Sequence, residues 1–515
     1  MKPIKLFSGF MTVGFWTLAS RILGFLREIL IAAYIGPGPV FDAFVAAFRL
    51  PNMFRRFLAE GAFNAAFVPM LSKKVEDDSG AVEFAQDAFN LLSAAVLALV
   101  AFAMIFMPAM IWFTSGIDPA DGRFDTTVGF GRIVFPYILC MSLAALFSGV
   151  LNATGRFSAA AAASALLNVV AIPAMIAGAV LGGTVIDWLV WSIPLAGLAQ
   201  LVLVWVSAEQ AGFKLRPGLP RLTKDMRRMV RVALPAALAM GVTQVNLVVG
   251  QRVAQDIENA LSWLFIADRL YQLPLGVVGI AIGIVLLPDL SRRLRADDDA
   301  GAQNALSRAG EFSLLLTLPS MVAFVAIPLP LISVLYERGA TDANDVAAIA
   351  LAVAIYGVGL PAFVLQKVLQ PLYFAREDTK SPFRFALVGM VVNAGLAFGL
   401  KPYAGWIAPA IAASAAGWAI VLLLWWGTRR MGDVAQFDTR FYSRSWRILV
   451  ASLVMGAVVW LAYQQFSWLF YLPTWRYLSL LALIALGALS YFVATHVLGA
   501  MKLSEMKQSL RRGRS

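Results

Sequence analysis

The sequence predicts an all-α polytopic membrane protein of about fourteen transmembrane helices. Two six-helix pseudo-repeat lobes surround a central cavity, and two further helices follow. Three observations predict this. Hydrophobic residues make up 60% of the 515 positions and charged residues only 14%, whereas an ordinary soluble chain carries about 25% charge. Apolar runs of about 20 residues, enough to cross a bilayer, recur from end to end. A set of short motifs also returns after roughly 220 residues.

The runs fall at roughly 10–36, 40–70, 88–115, 129–152, 158–182, 185–208, 228–252, 262–290, 310–336, 344–372, 383–401, 404–427, 447–467 and 477–500. The first follows a charged start, MKPIKLFSGF, but is too long for a signal peptide and contains Arg21 and Arg27. It is expected to be a retained helix. The second is the least hydrophobic, and Pro51 in its middle is expected to kink it or open a backbone gap. By this reading one lobe covers 1–210, the other 211–430, and residues 431–515 hold two additional helices and a basic tail.

The connections set the orientation. With a cytoplasmic N-terminus, one side of the membrane receives about 26 Lys and Arg and the other about 5. The positive-inside rule therefore places both termini in the cytoplasm. The net charge of +12 is then mostly a signal of topology and of contact with lipid headgroups. No aromatic-interleaved basic domain is present, so no nucleic-acid partner is expected. Trp468, Tyr471 and Trp475 read as an interfacial belt.

The repeat is specific in places. Phe67 to Lys74, FVPMLSKK, matches Leu286 to Arg293, LLPDLSRR, and each is followed by an acidic loop. Ala153 to Arg156 matches Phe374 to Arg376, and Asn168 matches Asn393. Six spans separate the matching elements, so the lobes point the same way and a cavity is expected between them.

The charges inside the apolar runs suggest what the cavity holds. Arg21, Arg27 and Glu28 lie in the first run; Asp42, Arg49, Asn52, Arg55, Arg56 and Glu60 lie in the second; Asp268 and Arg269 lie in the eighth. A guanidinium cannot shed its proton. At a bilayer centre each costs roughly 3 kcal/mol, and half a dozen on the order of 15. They are expected to line a hydrated, protein-walled space. Asp42, Arg49, Arg56 and Glu60 follow at steps of seven, seven and four, which puts them on one helical face. Arginine forks pair bidentately with phosphate, so a basic pocket with orienting carboxylates suits a diphosphate. The alternative is a set of internal ion pairs that hold helices together.

Other chemistry finds little support. One cysteine, Cys140, and one histidine, His496, rule out a disulfide framework and multi-histidine metal motifs. There is no P-loop, and no resident metal or cofactor is expected. Asp297, Asp298 and Asp299 have a repeat mate in Glu76, Asp77 and Asp78, so both read as solvated acidic caps. Glu377 and Asp378 precede Pro382 and read as a turn and cap, with Asp378 a weak cation candidate.

The run SRILGFLREILIAAYIGPGPVFDAFVAAFRLPNMFRRFLAEGAFNAAFVPML resembles the N-terminal signature of the MurJ (MviN) family of lipid II flippases. FIADRLYQLPLGVVGIAIGIVLLPDLSR, FPYILCMSLAALFSGVLNATGRF and FAREDTKSP are similar to the corresponding stretches of that family. The resemblance implies the multidrug/oligosaccharidyl-lipid/polysaccharide exporter superfamily and a multi-pass protein of the bacterial inner membrane. It implies a transporter, not an enzyme, that moves lipid II to the periplasmic leaflet by alternating access. It makes Arg21, Arg27, Arg55 and Arg269 cavity residues, with roles for Glu28, Asp42 and Glu60. The implied partners are lipid II and membrane lipids, with the protein monomeric and either a monovalent cation or the membrane potential driving transport. The rival readings are a flippase for another polyprenyl-diphosphate-linked saccharide, a membrane glycosyltransferase and a wall-synthesis scaffold.

Overall fold

The computed structural model describes residues 6–56, 62–296, 298–376 and 378–500. Glu60, Asp297 and Glu377, named above, lie outside the described residues. No strand occurs among the described residues. The helices are α1 (Leu6–Tyr34), α2 (Pro39–Arg55), α3 (Ala62–Glu76), α4 (Ala81–Ser115), α5 (Arg123–Val134), α6 (Tyr137–Ala153), α7 (Phe157–Leu181), α8 (Val185–Gln210), α9 (Lys224–Ala254), α10 (Ala260–Arg295), α11 (Asp299–Ala326), α12 (Pro328–Tyr336), α13 (Ala343–Phe374), α14 (Lys380–Ala404), α15 (Ala408–Thr428), α16 (Thr439–Phe466) and α17 (Trp475–Val497).

Local chemistry sets the boundaries. Pro39 and Pro328 open α2 and α12, where a missing N–H does no harm. Asp298 and Asp438 cap α11 and α16 by accepting from the Gly301 and Phe441 amides at 2.9 and 2.7 Å. Asp342 and Asp345 form a reciprocal capping box on α13.

Two expected spans are each made of two helices: the fourth is α5 and α6, and the ninth is α11 and α12. In the second, α2 and α3 flank residues 57–61, which lie outside the described residues. Pro136 lies in the break between α5 and α6, and Pro328 opens α12. Pro51 lies within α2, which continues to Arg55. Among the described residues nine helical stretches are long and apolar enough to span a membrane, and one of them, Lys380–Met431, holds both α14 and α15. The other expected spans correspond to α1, the α2–α3 pair, α9 and α10.

The chain forms two compact units. One is Met1–Ser262 together with Arg338–Thr341; the other is Trp263–Glu337 together with Asp342–Ser515. In the first, α7 packs against α1 and α8, α5 against α2, and α9 against α3 and α4. Phe147 links Phe89 and Trp205 there, at ring distances of 5.8 and 5.7 Å. In the second, α13 packs against α11 and α15, and α16 against α11 and α17. Its core includes Leu290, Leu306, Val368, Leu372 and Tyr373. Tyr373 donates to the Leu424 carbonyl at 2.6 Å, which satisfies its buried hydroxyl.

Features of the first half of the chain return in the second at the offset seen in the sequence. α4 loses helical geometry at Phe106, ahead of Pro108, and the α11–α12 break falls at Ile327, 221 positions on. The left-handed Gly116 after α4 has a counterpart in Gly339 after α12, 223 positions on. Asn168 and Asn393 are each 5% exposed. These matches fall on turns and buried polar groups, where geometry restricts the residue type.

Candidate functional site

The charged residues of the first unit sit at different depths of two helices. On α1, Arg27 donates to Glu28 at 2.7 Å, with side chains only 12% and 4% exposed. The pair is sequence-adjacent, so it forms without ordering a second helix. Arg21 is half-buried six residues earlier, about 9 Å along the axis. α7 holds this part of α1 in place: Asn168 donates to the Ser20 carbonyl at 3.0 Å, and Ser20 donates to the Ser164 carbonyl at 2.9 Å.

On α2 the shared face is not a shared site. Asp42 and Arg56 are fourteen residues apart, about 21 Å in a helix. Asp42, 1% exposed, sits near the start of α2. Its carboxylate accepts from the Asn259 amide at 3.0 Å, the Ser262 amide at 2.8 Å and the Ser262 hydroxyl at 2.5 Å. Arg123 Nη1 lies 3.7 Å away. Ser262 lies in the first turn of α10, whose N–H groups have no partner within the helix, and Asn259 is the residue just before that helix. Asp42 is therefore an N-cap supplied from more than 200 residues away.

Arg49 lines a void of about 20 Å³ with Leu50, Met53, Thr114, Leu247, Val248 and Gln251, so it faces α4 and α9. Asn52 donates back to the Phe48 carbonyl at 2.9 Å. Arg55 is half-buried at the end of α2, and Arg56 is exposed just beyond it.

The second unit carries Asp268 and Arg269 on α10. Asp268 accepts from Gln272, one turn on. The Arg269 guanidinium lies 4.7 Å from the Phe265 ring centroid, a cation–π contact within the same helix. Tyr271 stacks on Tyr356 at 5.2 Å. Arg27 and Arg269 are alike in that a near neighbour on their own helix orients each one.

Outside the spans, Arg123 donates to both oxygens of Asp121 at 2.6 to 3.1 Å, and this bond holds the Asp121 carboxyl below the usual carboxylate range. Both line a concavity of about 510 Å³ with Asp256 and Glu258. Asp378 accepts from the Lys380 and Ser381 amides at 3.1 and 2.9 Å, and hydrogen bonding to Ser381 lowers its pKa. That is the turn-and-cap arrangement at the start of α14. Among the described residues no three His, Cys, Asp or Glu side chains are grouped to hold a metal ion.

The family model described as lipid II flippase MurJ matches residues 31–484. The chain belongs to the MurJ family. It is 41% identical to the probable lipid II flippase MurJ of Rhizobium tropici, over 99% of this chain and 98% of that one. It is 32% identical to the lipid II flippase MurJ of Burkholderia cenocepacia, over 96% and 98%. A solved structure, lipid II flippase MurJ in an inward closed conformation, matches with a TM-score of 0.79 at 25% identity, covering 95% of this chain and 98% of that one. An inward-facing multidrug resistance transporter of the MATE family shares the fold, with a TM-score of 0.69 at 14% identity over 81% of this chain and 95% of that one. The MurJ family comprises membrane transporters, not enzymes.

Within this MurJ-family chain the sequence reading missed three things. It did not see the partners of Asp42, because an N-cap donated across 220 residues leaves no local pattern. It did not single out Gln272, which holds Asp268. It also passed over Lys367, exposed on α13 inside an apolar run. The signal for Lys367 was available, since a lysine at that depth carries the same penalty as the arginines.

Proposed function

We propose that this protein moves lipid II from the cytoplasmic to the periplasmic leaflet by alternating access, with Arg21, Arg27, Arg55 and Arg269 engaging the diphosphate. The observation that carries the reading is the placement of Arg27 and Arg269 inside apolar helices, each aligned by a neighbour on its own helix. A diphosphate brings roughly two negative charges, and preset guanidinium forks compensate them at little ordering cost. The polyprenyl chain stays in the bilayer, so only the headgroup needs a polar path. Asp42 acts at the start of α10 as a conformational support. Both termini are cytoplasmic, the protein works as a monomer, and the membrane potential or a monovalent cation biases the return step. One charge moved through 100 mV is worth about 2.3 kcal/mol.

The test uses the full-length protein in proteoliposomes with headgroup-labelled lipid II, scoring label accessible from outside. Arg27→Ala and Arg269→Ala should each slow translocation by at least about tenfold, the effect of losing one charge-assisted contact. Lysine at either position should restore part of the rate. Unaltered rates in both alanine variants would refute the arginine assignment. Equal transport of an unrelated polyprenyl-diphosphate saccharide would move the function to that broader class.

A further inference from the structure

Residues 213–223 join α8 to α9 without a helix, and α4 holds their first part in place. The Gln86 side chain bonds both main-chain groups of Arg216: Nε2 donates to its carbonyl at 2.6 Å, and Oε1 accepts from its amide at 2.9 Å. One primary amide thus does what a neighbouring strand would do. Phe213 and Leu215 are buried, at 6% and 0% exposed, and Arg216 Nη1 reaches Glu209 at 3.2 Å. The far end is fixed too. Thr223 caps α9 by accepting from the Met226 amide at 3.4 Å, and Lys74 pairs with Asp225 at 2.9 Å.

Between these anchors the segment turns apolar side chains outward. Leu219 is 85% exposed and Leu222 60%. Pro217 and Pro220 stand on either side of Leu219 and carry no N–H, so fewer main-chain donors lose water when the leucines enter an apolar phase. From Lys214 to Arg231 the chain carries seven basic residues against one acid, Asp225, which already faces Lys74. Arg221, Lys224 and Arg228 are all exposed. α8 and α9 are successive expected spans, so the segment leaves and re-enters the bilayer on one face. Leu222 precedes the expected start of the seventh span by six residues, about 9 Å of helix, which is within a Debye length of the headgroups. Leucines held in the open among cations match a phase with an apolar interior and an anionic surface.

We propose that residues 214–228 dock on an anionic lipid leaflet, with Leu219 and Leu222 entering the headgroup layer and Arg221, Lys224 and Arg228 meeting lipid phosphates. Each basic residue held near such a surface shifts the partition about fivefold. In the orientation proposed above this is the cytoplasmic leaflet, but the docking chemistry depends on neither that orientation nor the transported substrate.

The experiment uses the full-length protein with Cys140→Ser and Leu219→Cys, the new thiol carrying a nitroxide. It is reconstituted in vesicles of phosphatidylcholine and in vesicles that also contain phosphatidylglycerol. Collision with a neutral nickel chelate reads water, and collision with oxygen reads hydrocarbon. With phosphatidylglycerol present, chelate collisions should fall at least about fivefold, the weight of one basic contact, and oxygen collisions should rise. A nitroxide at Ser79→Cys, on the exposed acidic turn between α3 and α4, should stay open to the chelate in both. About 1 M salt should reverse the effect with no change of sequence, because it screens the charges. Arg221→Gln, Lys224→Gln and Arg228→Gln together should abolish the dependence on phosphatidylglycerol. Equal chelate access in the two vesicle types would overturn the proposal, whether the label is open in both or shielded in both. So would a label open in both vesicles yet shielded in native membranes, which would give the surface to a protein partner. Shielding that grows with the ratio of protein to lipid would give it to a second copy of the chain and would also overturn the proposal. None of these readouts needs lipid II, so a protein that fails to flip lipid II but shows the collision pattern removes the function reading and leaves the docking surface intact.

Discussion

Replacing Asp42 with alanine should loosen the first turn of α10 by an amount the geometry allows to be worked out. The carboxylate accepts from two main-chain amides, at 3.0 and 2.8 Å, and from the Ser262 hydroxyl at 2.5 Å. The hydroxyl can turn to another acceptor; the amides cannot. Loss of an N-cap costs about 1 kcal/mol, and a buried amide left without an acceptor costs about 1 to 3. These terms overlap, so about 3 kcal/mol is the expected local cost. At about 1.4 kcal/mol per factor of ten, amide exchange in the peptide spanning residues 259–263 should speed up roughly 100-fold. Asparagine keeps one acceptor oxygen and should cost about half as much, near tenfold. Hydrogen–deuterium exchange on the purified protein reads both variants directly. Exchange within twofold of wild type in Asp42→Ala, with lipid II binding lost, would refute the capping role and return Asp42 to the substrate pocket.

Asn168→Leu should remove the bond to the Ser20 carbonyl and weaken the seating of α1 on α7, lowering thermal stability by about 1 to 2 kcal/mol in a fluorescence melt. Gly36→Val should be more harmful, since the residue has φ +69° and a Cβ there meets Ala340; reduced membrane insertion or a lowered melting temperature checks it. Tyr373→Phe should cost about 1 kcal/mol, because the Leu424 carbonyl keeps its helix and loses only the hydroxyl. The Asp121 carboxyl is held below its ordinary value by Arg123, so its contribution is present above about pH 4 and is lost as pH falls through the lower folded value. Asp121→Asn should therefore flatten the acid limb of a stability-versus-pH curve.

Hydropathy made the helices legible because the solvent of each span is hydrocarbon, and only an unbroken apolar run satisfies it. It also made Arg21, Arg27 and Arg269 visible, since an ion at that depth needs a reason. Interruptions were harder to see. The breaks near Pro136 and Pro328 lie inside runs that remain apolar, so composition merges α5 with α6 and α11 with α12. The reading of α2 meets a different limit. Periodicity gives a direction around the axis, not a depth along it, so Asp42 and Arg56 share a face while one caps α10 and the other is exposed. Roles that depend on main-chain groups far away in sequence, such as that of Asp42, have no local signature to read.

The most direct test of the central claim is complementation of a conditional lipid II flippase depletion by the wild type and by the Arg27→Ala, Arg269→Ala double variant, scoring periplasmic lipid II itself. The wild type should restore it, and the double variant, inserted at equal level, should not. Full restoration by the double variant would contradict an arginine-held diphosphate as the basis of transport.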